Sequence, residues 1–324
     1  MKNLKIKGYG YALGRYDVSN HDLKKVVDTS DEWIVSRTGI SNRTVSVDEN
    51  TSDLAVRAAK QAIEQANIKK ELIDLIIVAT MTPDNITPAT APLVQQKLGL
   101  NESHVMAFDI NAACTGFVYG MQIAASMLNS QQYHHALIIG AETFSKIIDW
   151  SDRNTCVLFG DGAGAIVLSH EETEKEMFFF NQSKGDINKQ LYAKGLPLNA
   201  YLENQRPEVG FLQMNGQEVF RFATFAMKDA INKVCDMANV SIKDIDLIVP
   251  HQANQRIIQH ANKELNIDIE KFYMNLSLVG NTSAASIPIA LAQAHEKGVL
   301  KGKEKLILVG FGAGLTWGAA YVSL

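Results

Sequence analysis

Cysteine is scarce in this sequence, with three residues in 324: Cys114, Cys156 and Cys235. An odd count without CxxC spacing argues against a disulfide framework or a zinc site, and it fits a reducing compartment, the cytoplasm by default. No stretch holds eighteen apolar residues in a row, the length that marks a membrane-spanning helix. Residues 1–13 alternate Lys with apolar and Gly residues, so they lack the continuous apolar segment of an export signal. Basic charge is not in excess either: 31 Lys and Arg against 35 Asp and Glu leave a net charge of −4. Nothing global therefore favours nucleic acid or a membrane surface, although a local basic patch can still recruit an acidic partner. What the chain does have is apolar content, 46% hydrophobic against 20% charged. That is enough for a large core, in one big domain or two fused ones, and it argues against disorder.

The chain also repeats itself. Asp74-Leu75-Ile76-Ile77-Val78 returns 172 residues later as Asp246-Leu247-Ile248-Val249-Pro250, and Leu137-Ile138-Ile139-Gly140 returns as Leu306-Ile307-Leu308-Val309-Gly310, its glycine 170 residues on. Continuous runs rich in Ile and Val read as strands buried on both faces, hence a mostly parallel sheet covered by helices. Thr51-Ser52-Asp53 is placed to cap a helix carrying Leu54, Ala55, Ala58, Ala59, Ala62 and Ile63. The run Gly116 to Asn129 is apolar nearly all round, as a helix sandwiched between sheets would be, and Ser283 to His295 is its counterpart. The more polar section from about Glu171 to Gly210 reads as a junction and an inserted flap. The chain thus divides into an α/β half over 1–170 and a second over 171–324, related by a pseudo-twofold.

Three residues with chemistry follow strand-like runs: Cys114 in Asn111-Ala112-Ala113-Cys114-Thr115-Gly116, His251 in His251-Gln252-Ala253-Asn254, and Asn281 in Gly280-Asn281-Thr282-Ser283. In open α/β sheets the carboxyl ends of strands are where chemistry collects. A helix N-terminus beside Cys114 is expected to lower its thiol pKa and make it a nucleophile; the alternative is a small buried hydrophobe, the reading that Cys156 and Cys235 receive. His251 and Asn281 are placed to act as two neutral donors to one oxygen, or else as a satisfied core His and a turn Asn. The other seven histidines read as surface residues. The Gly-rich stretches Gly160-Asp161-Gly162-Ala163-Gly164 and Gly310-Phe311-Gly312-Ala313-Gly314 lack the dinucleotide fingerprint. They fit close backbone approach, with a main-chain N–H free for an oxyanion.

Longer strings add a resemblance. Asp31-Glu32-Trp33-Ile34-Val35-Ser36-Arg37-Thr38-Gly39-Ile40, Asp152-Arg153 with Phe159-Gly160-Asp161-Gly162-Ala163-Gly164, His251-Gln252-Ala253-Asn254, Gly280-Asn281-Thr282-Ser283-Ala284-Ala285-Ser286 and Gly314-Leu315-Thr316-Trp317-Gly318 closely resemble the β-ketoacyl-[acyl-carrier-protein] synthase III family, in the family's order from about Val18 to Val322. The resemblance implies a thiolase-like, duplicated five-layered α/β/α/β/α sandwich. It implies that Cys114 takes an acyl group from an acyl-CoA primer, and that His251 and Asn281 stabilise the enolate left when malonyl-acyl-carrier protein loses carbon dioxide. The N–H groups of Cys114 and Ala313 would hold the acyl oxyanion. It further implies CoA contacts at Thr29, Trp33, Arg37, Arg153 and Asn254, carrier-protein contacts at Gln252, Arg256 and Lys263, an acyl pocket at Thr87 and Phe159, a homodimer, and no cofactor or metal. The alternative for Arg256 and Lys263 is a solvated helix face, which fits Lys263 equally.

Two positions depart from the family's pattern. Ala313 stands where the family often has the middle of three glycines, and a positive φ there would strain it. Thr87 stands where a bulky residue often reaches into the partner's acyl pocket, which implies room for primers longer than acetyl or branched. Rival readings are a related condensing acyltransferase with another primer, a thioester hydrolase, and a binding or scaffold role.

Overall fold

The computed structural model describes residues 1–195 and 210–324. In chain order the strands are β1 (Leu4–Leu13), β2 (Tyr16–Ser19), β3 (Asn42–Val45), β4 (Leu75–Ala79), β5 (Met106–Ile110), β6 (His135–Glu142), β7 (Gly162–His170), β8 (Met177–Ser183), β9 (Leu191–Tyr192), β10 (Gln213–Met214), β11 (Leu247–Pro250), β12 (Lys305–Gly312) and β13 (Thr316–Ser323). The helices are α1 (Asn20–Leu23), α2 (Asp31–Thr38), α3 (Thr51–Ala66), α4 (Thr90–Lys97), α5 (Gly116–Asn129), α6 (Arg153–Cys156), α7 (Gly216–Ala238), α8 (Gln255–Leu265), α9 (Leu276–Val279) and α10 (Ser286–Glu296).

Alternating side chains build the layers. In the first sheet, Leu75, Ile77 and Ile138 face α5 and α10, while Ile76, Val78, Leu137 and Ile139 face α3 and α4. In the second, Leu306 and Leu308 face the same central helices, while Ile307 and Val309 pack under α7 and α8. The order is therefore helix, sheet, helix, sheet, helix. The first sheet runs β1-β7-β6-β4-β5 and the second β8-β13-β12-β11, so the two match strand for strand except at β5. Its counterpart in the second sheet has shrunk to one parallel bridge between Ile248 and Phe272.

The expectation of a mostly parallel sheet is corrected. Among the described residues, the strand pairs that run parallel are β4 with β5, β4 with β6, and β11 with β12, whereas β7 lies antiparallel to β1 and β6, and β13 antiparallel to β12 and β8. Helices cover both faces of every central strand, so antiparallel strands too become continuous apolar runs. The turn of three residues between β12 and β13 leaves no room for the crossover a parallel pair needs.

The cap on α3 also lies one residue earlier than the sequence suggests. Asn50 accepts from the first turn, and Asp53 returns a bond to the Asn50 N–H, a reciprocal capping box. Of the section read as an inserted flap, β8 belongs to the second sheet. Residues 184–186 pair through their backbone with Gly314 and Leu315, beside the site, and residues 196–209 lie outside the described residues.

Candidate active site

The two halves build the same turn twice and use it differently. Between β5 and α5, Asn111 accepts a 3.1 Å bond on Oδ1 from the Ala113 N–H, and Ala113 takes a left-handed φ of 46°. Ahead of α10, Asn281 accepts a 2.9 Å bond on Oδ1 from the Ser283 N–H, and Ser283 has a φ of 51°. A short 3₁₀ turn follows each, over Ala113–Thr115 and Ser283–Ala285. In this register Asn281 matches Asn111, and Cys114 matches Ala284. The nucleophile candidate is thus one half's version of the turn, and the amide candidate the other's.

Each turn rests on the other half's sheet. A Cβ on Gly140 of β6 would fall 2.2 Å from the Ala284 carbonyl, and one on Gly312 of β12 would fall 2.8 Å from the Cys114 nitrogen. Any side chain at Gly312 would push the Cys114 turn away, so the Gly-rich stretch here serves close approach. Thr316 ties the loops together, its Oγ1 donating toward the Ala112 and Ala313 carbonyls at 3.1 and 3.0 Å. Ala313 itself avoids the left-handed region; Gly314, with φ 135°, takes the unusual backbone instead, so the strain expected at Ala313 does not arise. Among the described residues, no acceptor takes up the N–H of Cys114 or of Ala313.

His251 extends β11 by one residue, its N–H donating 2.8 Å to the Val309 carbonyl of β12. Its ring packs edge-on against Phe311, and Nδ1 is buried without a hydrogen-bond partner among the described residues. An orphaned lone pair is better tolerated in the interior than an orphaned N–H, so the proton belongs on Nε2. Burial pushes the His251 pKa down to about 3, which keeps the imidazole neutral. Asn281 is pinned by the Leu158 carbonyl and the Gly160 N–H through its backbone. With Oδ1 engaged by Ser283, its NH₂ is the free end.

Cys114, His251 and Asn281, from three separate loops, line one pocket of about 140 Å³ with Phe159, Leu158, Phe220, Phe222, Phe311 and Leu315. Burial pushes the Cys114 thiol up to about 12, and the nearby Glu142 carboxylate acts in the same direction. The lowered thiol pKa expected from the helix N-terminus is not found in the free chain, where loss of solvent is the largest influence and raises it. Cys156 and Cys235 are buried, as expected, with thiols pushed up to about 11. Of the other histidines, His135 is half-buried and bonded to Ser169 instead of lying free on the surface.

A wider, open cleft adjoins the pocket, sharing Leu158, Met214, Gly216 and Asn254 with it and adding Trp33, Arg37, Lys189 and Tyr192. Arg153 stacks its guanidinium 4.7 Å from the Trp33 ring, and Arg37 stands 5.9 Å from it. An inserted planar base needs about 7 Å, two van der Waals separations, so the Trp33–Arg153 pair is closed on itself here. Thr29, on the loop before α2, has a buried Oγ1 with no partner among the described residues. Asn254 caps α8, accepting from the Arg256 N–H and donating to the Arg37 carbonyl. Arg256 and Lys263 are exposed on α8, seven residues apart and so on one face.

Two positions fall elsewhere. Gln252 is fully buried, donating to the Pro250 and Tyr273 carbonyls at 3.0 Å each. It braces the His251 loop and offers no surface to a partner, which corrects its assignment as a carrier-protein contact. Thr87 is exposed on the loop before α4 and does not line this chain's pocket. Sequence reasoning missed Glu142, Lys189, Tyr192 and the aromatic wall Phe220, Phe222 and Phe311. The wall residues look like any apolar stripe, and Glu142 looks like an ordinary acid at a strand end.

Two family models match: 3-oxoacyl-[acyl-carrier-protein] synthase III over residues 108–185 and its C-terminal part over 235–324. The chain is 51% identical over 326 residues, covering all of both chains, to β-ketoacyl-[acyl-carrier-protein] synthase III of Clostridium perfringens. It is also similar to the crystal structure of 3-oxoacyl-[acyl-carrier-protein] synthase III from Aquifex aeolicus, with 41% identity, 99% and 100% coverage and a TM-score of 0.91. The enzyme of that name from Pseudomonas aeruginosa gives 38% identity, 99% and 98% coverage and a TM-score of 0.92.

Proposed function

Because the chain belongs to the β-ketoacyl-[acyl-carrier-protein] synthase III family, acyltransferases that condense an acyl-CoA primer with malonyl-acyl-carrier protein to begin fatty acid synthesis, we propose that Cys114 is its nucleophile and that His251 and Asn281 drive the condensation. The observation that carries this reading is the convergence of a thiol and two neutral donors, from both halves, on one largely apolar pocket.

The Cys114 sulfur attacks the primer's thioester, and CoA leaves as its thiolate. Malonyl-acyl-carrier protein then enters by the same cleft. As its carboxylate departs as carbon dioxide, charge develops on the thioester oxygen, which accepts from His251 Nε2 and the Asn281 NH₂. The resulting carbanion attacks the acyl carbon on Cys114, and the N–H groups of Cys114 and Ala313 receive the oxyanion until the thiolate leaves. A neutral His251 suits donation, since an imidazolium would protonate the enolate and quench it. Each donor is worth on the order of 3 kcal/mol in such a site.

The cleft supports the substrate assignments. Trp33 and Arg153 open to take the adenine between them, with Thr29 and Arg37 beside the nucleotide and Asn254 beside the pantetheine arm. Arg256 and Lys263 meet the acidic carrier protein. The halves 1–170 and 171–324 act as one catalytic unit within a homodimer in the cytoplasm; no helix among the described residues is long and apolar enough to cross a membrane. A second reading within the family, a primer longer than acetyl or branched, is favoured by the small, exposed Thr87 where the family's pattern often has a bulky residue. Acetyl-CoA preferred by a wide margin in a primer panel would overturn it. A hydrolase reading fares worse, because His251 Nδ1 has no orienting partner among the described residues.

The test is product formation. With an acyl-CoA and malonyl-carrier protein, wild type should release carbon dioxide and yield the 3-oxoacyl-carrier protein, and Cys114→Ala should yield neither. Free acid in place of condensed product would reverse the conclusion.

A further inference from the structure

One buried charge has no part in the reaction above. Arg43, on β3, is wholly inaccessible. Its Nη1 donates to the Val18 carbonyl at 3.0 Å, and its Nη2 donates twice, to Asn20 Oδ1 at 2.8 Å and to the Val157 carbonyl at 2.9 Å. These acceptors are two carbonyls and an amide, and Nε has no partner among the described residues. Burial lowers the pKa of the guanidinium to about 10, so it stays charged at neutral pH. A charge taken out of water without a carboxylate beside it is costly, and two glycines make room for this one. A Cβ on Gly160 or on Gly280 would fall 3.3 or 3.0 Å from the Arg43 Cβ.

The groups that Arg43 holds belong to the two walls of the open cleft. Asn20, itself wholly inaccessible, passes the contact on: its Nδ2 donates to Asp31 Oδ1 at 2.8 Å and to the Ile40 carbonyl at 2.9 Å. Asp31 opens α2, which carries Trp33 and Arg37 into the cleft. Val157 closes α6, which carries Arg153 and Asn154. A single nitrogen of Arg43 therefore ties both walls together from inside the fold, while Trp33 and Arg153 meet across the cleft at 4.7 Å. Arg153 is held in that position by donating 3.0 Å to the Asp28 carbonyl, on the loop that leads into α2.

We infer that Arg43 is a positioning residue for the nucleotide of the acyl donor: through Val157 on one side, and through Asn20 and Asp31 on the other, it fixes the spacing of the walls that carry Trp33 and Arg153. This rests on the reading of that pair as the adenine site. To admit a base the two side chains must part to about 7 Å, and a fixed frame lets them swing while α2 and α6 stay in place. Walls that are already ordered spare the donor part of the cost of ordering them. The planar guanidinium suits the task, because its donors leave in fixed directions and hold several acceptors at once. The thioester and the pantetheine arm need no such frame, so the effect belongs to donors that carry a nucleotide.

The brace is tested on the full chain by single-turnover acetyl loading, read as protein mass gain, from acetyl-CoA and from acetyl-pantetheine, which has the same thioester and arm but no nucleotide. Arg43→Met and Asp31→Ala should each raise the half-saturating acetyl-CoA concentration about tenfold at an unchanged maximal rate, and leave loading from acetyl-pantetheine within about twofold of wild type. Glu32→Ala removes the neighbouring acid of the same helical turn, which is exposed and outside the chain of bonds, and should match wild type with both donors. If Arg43→Met fails to fold, Asp31→Ala decides against Glu32→Ala. An Asp31→Ala profile equal to that of Glu32→Ala, or an equal loss with both donors, overturns the brace. Trp33→Ala reads the underlying assignment separately: if it leaves the preference for acetyl-CoA over acetyl-pantetheine at the wild-type value, the adenine does not bind there and the brace falls with it.

Discussion

At the scale of single residues, His251 carries a signature that is independent of turnover. In the unfolded chain its imidazole protonates near pH 6.5, but in the fold only near 3. Above 6.5 both states are neutral and the group makes no pH-dependent contribution. As the pH falls toward 3 the unfolded state binds the extra proton, and stability is lost at up to about 1.4 kcal/mol per pH unit. Denaturant melts between about pH 6 and 4 should therefore show a shallower acid loss in His251→Ala than in wild type, by about one proton. Parallel slopes would mean that the ring takes up its proton as readily in the fold as in the unfolded chain, and the depressed pKa would fall. The three candidate residues were legible because each follows an apolar run with chemistry that a core does not need. Gln252 stands in the same string as His251, yet folds inward as a brace, and only its amide's saturation by two carbonyls reveals that. Glu142 was not legible, because a single acid at a strand end is an ordinary surface feature until its neighbours enclose it.

At the scale of elements, α8 links site and surface. Its capping residue Asn254 lines the pocket mouth, and its outer face presents Arg256 and Lys263. Reversing both, Arg256→Glu with Lys263→Glu, should raise the KM for malonyl-carrier protein about tenfold at low salt. Acyl loading from CoA should be unchanged, and the difference should shrink as salt screens it. An unchanged KM would return these residues to a solvated helix face. The strands β4, β6, β11 and β12 and the central helices α5 and α10 were readable from apolar runs and from their repeat. Strand direction was not, since a helix-covered antiparallel strand such as β7 has the same pattern as a parallel one. The capping box of α3 was off by one residue, because Asn50 and Thr51 both offer a capping oxygen and only the backbone of Asn50 is extended.

At the scale of the whole molecule, the duplication is what makes the site. One copy of the turn, Asn111 to Gly116, supplies a thiol at the position where the other has Ala284. The other copy supplies the buried amide of Asn281, whose NH₂ is left free in the pocket. Gly140 and Gly312 let each turn dock on the opposite sheet. Sequence self-comparison revealed the two halves; their contact across the centre, and the closed Trp33–Arg153 pair at the entrance, needed coordinates. This division predicts separable chemistry: the half bearing Cys114 loads the acyl group, and the half bearing His251 and Asn281 is needed only afterwards.

The most direct measurement is the intact mass of the protein after acetyl-CoA, and again after malonyl-carrier protein, for wild type, Cys114→Ala, His251→Ala and Asn281→Ala. Wild type should gain one acetyl group and lose it to condensation, and Cys114→Ala should gain none. His251→Ala and Asn281→Ala should load but discharge about a hundredfold more slowly or worse. An acetyl adduct on Cys114→Ala, or discharge of the His251→Ala adduct at the wild-type rate, would contradict the division of labour.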